Sequence, residues 1–457
     1  MDQNITALTI LYTELYYWLA VFFMMFIPAG FCIFSSAIVR RKNCNSAFMT
    51  QLMILPVLAL PCFVFGWWVY FGFVHGPGAG GFASAPFAVA WNELAGGFIG
   101  TDEFGRSRIN GVSWLVFLLM SFTVAAIVAG SVLERIRSGA LWMLIVLVGS
   151  LLWAIGAAWG WSPNGWMVEL MGFHDAYAAG VVHTVAGGFA LGVLRNLGPR
   201  LAKVDVNKSI YNIPPNSIQL ASFGKILIII GLLGFYLACN QPIVDVQVGD
   251  GTFFSSTNIY GTPVVLSAST LNFFMSLFAG MLIGYIMSGG DLGWILSCGI
   301  AGIVSTSAGN DYYHPLQSFL LAAFVVWLVF RMHNWLEARF QIDDVTAAVA
   351  FHGFAGWFSL VIAGIVLWGY PASPGEDYAI INPLGQFVGA VILFWIIGFI
   401  PGHLSSSFLK FMGVLRVRPE IEVIGLDTLR NKISQSESEC SSDNELQILE
   451  DITEEQS

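Results

Sequence analysis

Two stretches of the chain spell one pattern around a histidine. The first reads Asp175-Ala-Tyr-Ala-Ala-Gly-Val-Val-His183-Thr-Val-Ala186-Gly187-Gly-Phe189-Ala-Leu191. The second reads Asp344-Val-Thr-Ala-Ala-Val-Ala-Phe-His352-Gly-Phe-Ala355-Gly356-Trp-Phe358-Ser-Leu360. Both are Asp-x7-His-x-x-Ala-Gly-x-Phe-x-Leu, an internal repeat. Each copy sets a histidine inside an apolar run, where an ionisable side chain is costly and marks a functional position. A neutral imidazole has one donor and one acceptor nitrogen, so two can bond to each other and to a small polar passenger. Burial disfavours the charged ring, which keeps at least one of the two neutral near pH 7. An Asp just before a helix is first an N-cap. That is the reading for Asp344, whereas for Asp175 capping and support of the site both stand. Bond-making chemistry is not expected. The chain has no Gly-x-Ser-x-Gly, no His-Glu-x-x-His and no phosphate-cradling loop.

The elements that position these histidines follow from composition. Of 457 residues 56% are hydrophobic and only 11% charged, against roughly a quarter charged in a soluble domain. Eleven apolar runs, most of them as long as the ~18–20 residues a spanning helix needs, fall near 12–37, 47–74, 112–133, 139–161, 176–194, 218–239, 263–288, 292–308, 316–333, 345–368 and 382–409. The 49 glycines suit closely packed membrane helices. The fold class expected is therefore an all-α membrane protein of eleven transmembrane helices. Residues 1–409 form that domain and 410–457 a polar tail, whose last part, Ser434 to Ser457, is rich in Ser and Glu and reads as disordered. The first run lacks a basic leader and a cleavage site, so it is expected to stay in the mature chain.

Basic residues set the orientation, because short cytoplasmic loops hold them in excess. They cluster after runs 1 (Arg40, Arg41, Lys42), 3 (Arg135, Arg137), 5 (Arg195, Arg200, Lys203, Lys208), 9 (Arg339) and 11 (Arg416, Arg418, Arg430, Lys432). The opposite loops hold only Arg106 and Arg108. The N-terminus is thus expected outside and the C-terminus in the cytoplasm. Asn4-Ile5-Thr6, a glycosylation acceptor, agrees with an outer N-terminus. Run 5 then enters from outside and run 10 from inside, so the repeat of helices 1–5 and 6–10 is inverted, as in many transporters with a midplane site. Eight residues at ~1.5 Å each carry either histidine about 12 Å into a core ~30 Å thick, so both reach mid-depth. The six cysteines, Cys32, Cys44, Cys62, Cys239, Cys298 and Cys440, form no C-x-x-C pair and read as free thiols, with no metal or cofactor implied. The net charge of −10, much of it in the tail, argues against nucleic acid as a partner.

From Ile27 to Asp427 the chain resembles the ammonium transporter family (Amt/MEP, with the Rh proteins as cousins). Pro28-Ala-Gly, Val39-Arg-Arg-Lys-Asn43, Glu134-Arg-Ile-Arg137, the stretch Asp175 to Gly187, Phe351-His-Gly-Phe-Ala-Gly356 and Gly425-Leu-Asp427 carry the resemblance. It implies a homotrimer in the plasma membrane, each subunit with a narrow apolar pore for ammonium or ammonia lined by His183 and His352. It also implies ammonium recruitment at Trp161 by a cation–π contact, support from Asp175, and a gate at Phe235. Four positions depart from the family pattern. Met120 falls on the second gate phenylalanine, Cys239 on the serine that accepts from ammonium, Tyr236 on an Asn, and Ala347 on a second Asp. A thiol accepts more weakly than a hydroxyl and a Met gate is more flexible, which bears on high-affinity uptake and not on the fold. The function expected is ammonium/ammonia transport, against two rivals: a non-conducting ammonium sensor acting through its tail on a regulatory protein, and a neutral-gas channel of the Rh kind.

Overall fold

The computed structural model describes residues 2–74, 106–162, 165–204, 209–242, 257–259, 262–372 and 379–428. The long acidic tail beyond 428, and with it Ser434 to Ser457, lies outside the described residues. Among the described residues eleven long helical rods follow in chain order, beside shorter helices such as Trp166–Met171 and Pro419–Ile424. They are α1 (Glu14–Ile38), α2 (Arg41–Tyr70), α3 (Trp114–Ser131), α4 (Ser138–Gly160), α5 (Ala179–Thr184 running on into Val185–Leu197), α6 (Ile218–Cys239), α7 (Leu266–Ser288), α8 (Leu292–Thr306), α9 (Pro315–Phe340), α10 (Val349–Val366) and α11 (Pro383–Phe411). Nine of them are long and apolar enough to cross a membrane. α8, with 15 residues, is shorter, and α5 is not among the nine. The rod of α1 extends back to Asp2, so Asn4 lies in helix.

Three short strands stand beside the helices: β1 (Gln241–Pro242), β2 (Thr257–Ile259) and β3 (Thr262–Val264), antiparallel in the order β1-β2-β3. They sit between α6 and α7, where Thr257, Ile259, Thr262 and Val264 supply the β-branched residues strands favour. The all-α class expected from the sequence holds, with this small sheet beside the helices.

α3 is deeply buried, and so is α5, whose residues are buried without a break from Ala179 to Leu194. The peripheral rods keep apolar side chains on their outer faces. On α9, Leu316, Leu320 and Phe324, spaced four apart, are all exposed, and on α11 so are Leu404, Phe408 and Phe411. Such stripes face hydrocarbon rather than water, and helices are the structures that satisfy their own backbone there. α1 runs along α6, α7 against α8 and α9, and α5 against α10 and α11.

Glycines set the two crossings on which the repeat turns. A Cβ on Gly30 of α1 would stand 2.6 Å from the Gly224 carbonyl of α6, and one on Gly224 would stand 2.8 Å from the Gly30 carbonyl. The α5–α10 crossing is as close: a Cβ on Gly187 would meet Gly353 Cα at 2.2 Å, and one on Gly356 would meet the Ala179 carbonyl at 2.2 Å. In the repeat Gly187 corresponds to Gly356, and each packs on the partner copy. Gly187→Ala therefore forces the helices apart, and overpacking of this kind costs about 1–3 kcal/mol or more. The expected result is a clear fall in the melting temperature of the detergent-solubilised protein, read by tryptophan fluorescence. An unchanged melt would show that the crossing yields without cost.

Candidate functional site

Each copy of the repeat builds the same local device. Ala178 and Ala347 both take left-handed backbone, with φ of 60° and 58°, a conformation that costs an L-residue roughly 1 kcal/mol and persists only where its surroundings hold it. A π-helical turn follows, Ala179–Thr184 directly after Ala178 and Val349–Phe354 one residue after Ala347, and each turn contains the histidine. π-Turns are rare and gather at functional sites. The aspartates close the devices. Asp175 Oδ2 accepts from Gly180 N at 2.9 Å and Val181 N at 3.0 Å, and Asp344 Oδ2 accepts from Val349 N at 2.7 Å.

The crossing of α5 and α10 brings the rings together. His183 Nδ1 lies 3.1 Å from His352 Nδ1, with ring centroids 5.0 Å apart and planes 20° from parallel. His183 is buried and His352 partly so. Phe235 of α6 stands 6.4 Å from the His183 ring, tilted by 33°. Met120 and Cys239 are buried in the same apolar core as Phe235, and Trp161, at the end of α4, packs on that core half-buried with its ring 6.4 Å from Tyr70. The structure thus joins His183, His352 and Phe235 directly, and holds Met120, Cys239 and Trp161 in or against one shared core. Among the described residues no group of three His, Cys, Asp or Glu is placed to hold a metal ion.

The family model described as Ammonium Transporter Family matches residues 15–434. The chain belongs to that family. Among curated relatives, the ammonium transporter Amt2 of Archaeoglobus fulgidus is 27% identical over 429 residues, covering 89% of this chain and 84% of its own. Among solved structures, a sensor Amt protein matches with a TM-score of 0.73 at 21% identity, over 94% of this chain and 99% of its own. Mep2 of Candida albicans matches with a TM-score of 0.65 at 18% identity, over 89% and 86%. At these identities the two structures speak to the fold alone. The chain is a multi-pass member of a family whose named relatives transport ammonium.

Several residues around the pair carry no signal in the repeat. Tyr177 of the α5 device stacks on Tyr236 of α6, with centroids 3.9 Å apart and planes 4° from parallel. The Tyr236 hydroxyl lies 2.8 Å from Ser307 Oγ and accepts from Asn310 Nδ2 at 3.0 Å. Tyr236, which departs from the family's Asn, therefore anchors α6 to the end of α8. Near Asp175, His174 Nε2 lies 2.9 Å from Asp311 Oδ2, both groups buried. Burial pushes the His174 imidazolium down, and the Asp311 carboxylate outweighs it, holding the ring above its usual value. Lys225 is different, because it was open to detection. It is the one Lys, Arg, Asp or Glu in Ile218–Cys239 and meets the intramembrane rule that singles out the histidines.

On the face that carries the C-terminal segment, a buried ion network ties the loops together. Arg200 holds Asp343 through two bonds, Nε to Oδ2 at 2.8 Å and Nη2 to Oδ1 at 2.9 Å, and reaches Glu134 Oε2 with Nη1 at 3.0 Å. Glu134 Oε1 accepts from Arg40 Nε at 3.0 Å and Asn43 Nδ2 at 2.8 Å. The C-terminal segment lies over this network. Asp427 accepts from Asn45 N at 2.8 Å and Ser46 N at 2.7 Å near the start of α2, while Arg416 donates to the Leu197 and Pro199 carbonyls at 2.9 and 2.8 Å after α5.

Proposed function

We propose that the chain carries ammonium nitrogen across a plasma membrane, capturing ammonium at Trp161, releasing its proton either to the outer water or to a separate relay, and passing ammonia along His183 and His352. In this reading the protein is a homotrimer of eleven-span subunits, the N-terminus is outside, and the C-terminal face is cytoplasmic. The observation that carries it is the 3.1 Å contact between two imidazoles at the crossing of the repeat helices. At that distance the two Nδ1 atoms share one proton, so one ring donates and the other accepts. Neutral rings then present opposite Nε2 atoms. The donor ring offers an Nε2 lone pair, and the acceptor ring offers an Nε2–H. Ammonia accepts through its lone pair and donates through N–H, so it complements both. Ammonium has no lone pair and brings a charge whose desolvation costs far more.

The rival reading, a non-conducting ammonium sensor, draws on the hydrogen bonds between the C-terminal segment and the start of α2 and the loops after α3 and α5. Movement of the bundle would reach the tail, and any regulatory protein bound there, through these bonds. One experiment separates the two. Protein in liposomes receives an ammonium pulse while current and internal pH are recorded together, beside a His183→Ala/His352→Ala variant. The wild type is expected to respond, and the variant to lose ~10-fold of the flux or to change its ratio of current to alkalinisation. Equal flux and coupling in both proteins would overturn the histidine pathway. Silence of the wild type with ammonium binding retained moves the assignment to the sensor.

A further inference from the structure

Below the histidine pair, toward the C-terminal face, two cavities follow one another. The first is small, about 30 Å³, and is lined by His352, Phe351, Phe31 and Ile300 among others. It has room for one water-sized molecule. The second is a vestibule of about 600 Å³ lined by Asp291, Trp294, His333 and Asp343 among others. Phe34, Lys225, Ser297 and Thr346 line both. Lys225 thus stands at the neck between them. Its side chain is buried, its Nζ donates to the Gly293 carbonyl at 2.8 Å, and it lies 4.8 Å over the Phe34 ring.

The other cations of the vestibule are spoken for: Arg200 pairs with Asp343, and Lys203 with Glu337. Asp291, the carboxylate nearest in chain order to Gly293, caps α8 by accepting from Trp294 N at 3.0 Å. Among the described residues Lys225 forms no ion pair: the Asp291 carboxylate acts on it only from farther off, and a carbonyl dipole and an aromatic face hold it, which bind an ammonium group without cancelling its charge.

We infer that Lys225 is the selectivity residue of the inner half of this pathway, a fixed ammonium group at the neck that bars mobile cations from the cavity beside His352 while letting neutral ammonia pass. The inference rests on the transport reading above. A second unit charge about 6 Å away at an effective dielectric of ~20 is disfavoured roughly a hundredfold. Neutral ammonia meets no such barrier. Lys225 also occupies the face of Phe34, the aromatic among the four residues that line both cavities.

The test uses the full chain in liposomes with ammonium, and separately potassium, presented from the vestibule side. Current and alkalinisation are measured for the wild type, Lys225→Met and Lys225→Arg. The expected result is a ratio of cation current to neutral flux at least ~10-fold higher in Lys225→Met and restored to the wild-type value by Lys225→Arg. A ratio unchanged within ~2-fold in a folded Lys225→Met protein overturns the inference. Lys225→Gln is the substitute if the methionine variant fails to melt cooperatively, with the same outcomes. The two readings fail separately. A silent wild type whose Lys225→Met variant conducts keeps the charge barrier but sinks the transport reading and the passage of ammonia past Lys225, whereas a transporting wild type with an unchanged ratio sinks only the lysine.

Discussion

Arg200→Ala is expected to destabilise the protein more than any other single substitution on the C-terminal face. The guanidinium makes a two-bonded pair with Asp343 and a third bond to Glu134, and its backbone N–H also binds Asp343 Oδ2 at 2.8 Å. Removing it leaves Asp343 with Arg135 alone and Glu134 with Arg40 and Asn43, so each buried carboxylate is short of one cation. Breaking one side of a buried pair costs about 3–5 kcal/mol, because the remaining charge keeps its desolvation cost and loses its compensation. The melting temperature should fall by roughly 3–5 °C. Arg200→Lys should recover only part, since an ammonium lacks the fork that spans both Asp343 oxygens.

The pH dependence follows from the same groups. Burial pushes the Asp343 carboxyl up, but Arg135 and Arg200 outweigh it and hold it well below the usual range. Burial likewise raises Glu134, and Arg200, Arg40 and Asn43 bring it below its ordinary value. Groups with depressed folded-state pKa values add stability that is complete above the ordinary carboxylate range near 4. That contribution is lost as the pH falls below about 4 through the folded values. The wild type should therefore hold this contribution from pH 7 to 5, while the deficit of Arg200→Ala shrinks toward pH 5 as its buried carboxyls, each short of one cation, take up protons more readily. A deficit that is constant from pH 7 to 5 would mean the arginine acts by packing alone.

The histidine pair could be anticipated because both halves of the device are written in one alphabet. Asp, His, Ala, Gly, Phe and Leu recur at fixed spacing, and an ionisable residue in an apolar run is conspicuous by itself. What could not be anticipated is how the chain presents them. The left-handed Ala178 and Ala347 and the π-turns that follow have no composition of their own, since alanine does not prefer that backbone. Contacts between the two copies impose it, through Gly187 and Gly356. Long-range pairs are silent for a related reason. Arg200 enters a sequence reading as one positive charge of a loop, and its partner Asp343 lies 143 residues on with no pattern to connect them. Tyr177 and Tyr236 read as ordinary apolar-run aromatics until their rings stack. The rods themselves were legible in hydropathy, with their ends shifted by a few residues. α8 stops short of its expected 292–308 because Ser307 already leaves the helix. Lys225 was legible by the same rule as the histidines, yet it has no counterpart in the repeat to draw attention to it.

Asp175 tests whether the repeat's aspartate acts through its shape or through its charge. Its Oδ2 accepts from two backbone N–H groups of the turn that holds His183, and Ala178 just before that turn is strained at φ 60°. Asp175→Ala strands both buried donors, at about 1–3 kcal/mol each, and releases the strain by letting the turn unwind. The fold should lose several kcal/mol, and His183 should leave its 3.1 Å contact, with flux down ~100-fold. Asp175→Asn separates the two roles, because its amide oxygen can still cap the turn while the charge is gone. If Asp175 only caps, the Asn variant melts near the wild type and keeps flux within ~3-fold. If the carboxylate also draws ammonium in or receives its proton, the Asn variant melts normally but loses flux ~10-fold or more, and the loss appears in kcat rather than in stability. Melting and flux measured on the same preparations decide between them. A repeat built for symmetry alone would give Asp344→Asn the same outcome, whereas a charge that serves the substrate on one side of the membrane sets Asp175→Asn apart from it.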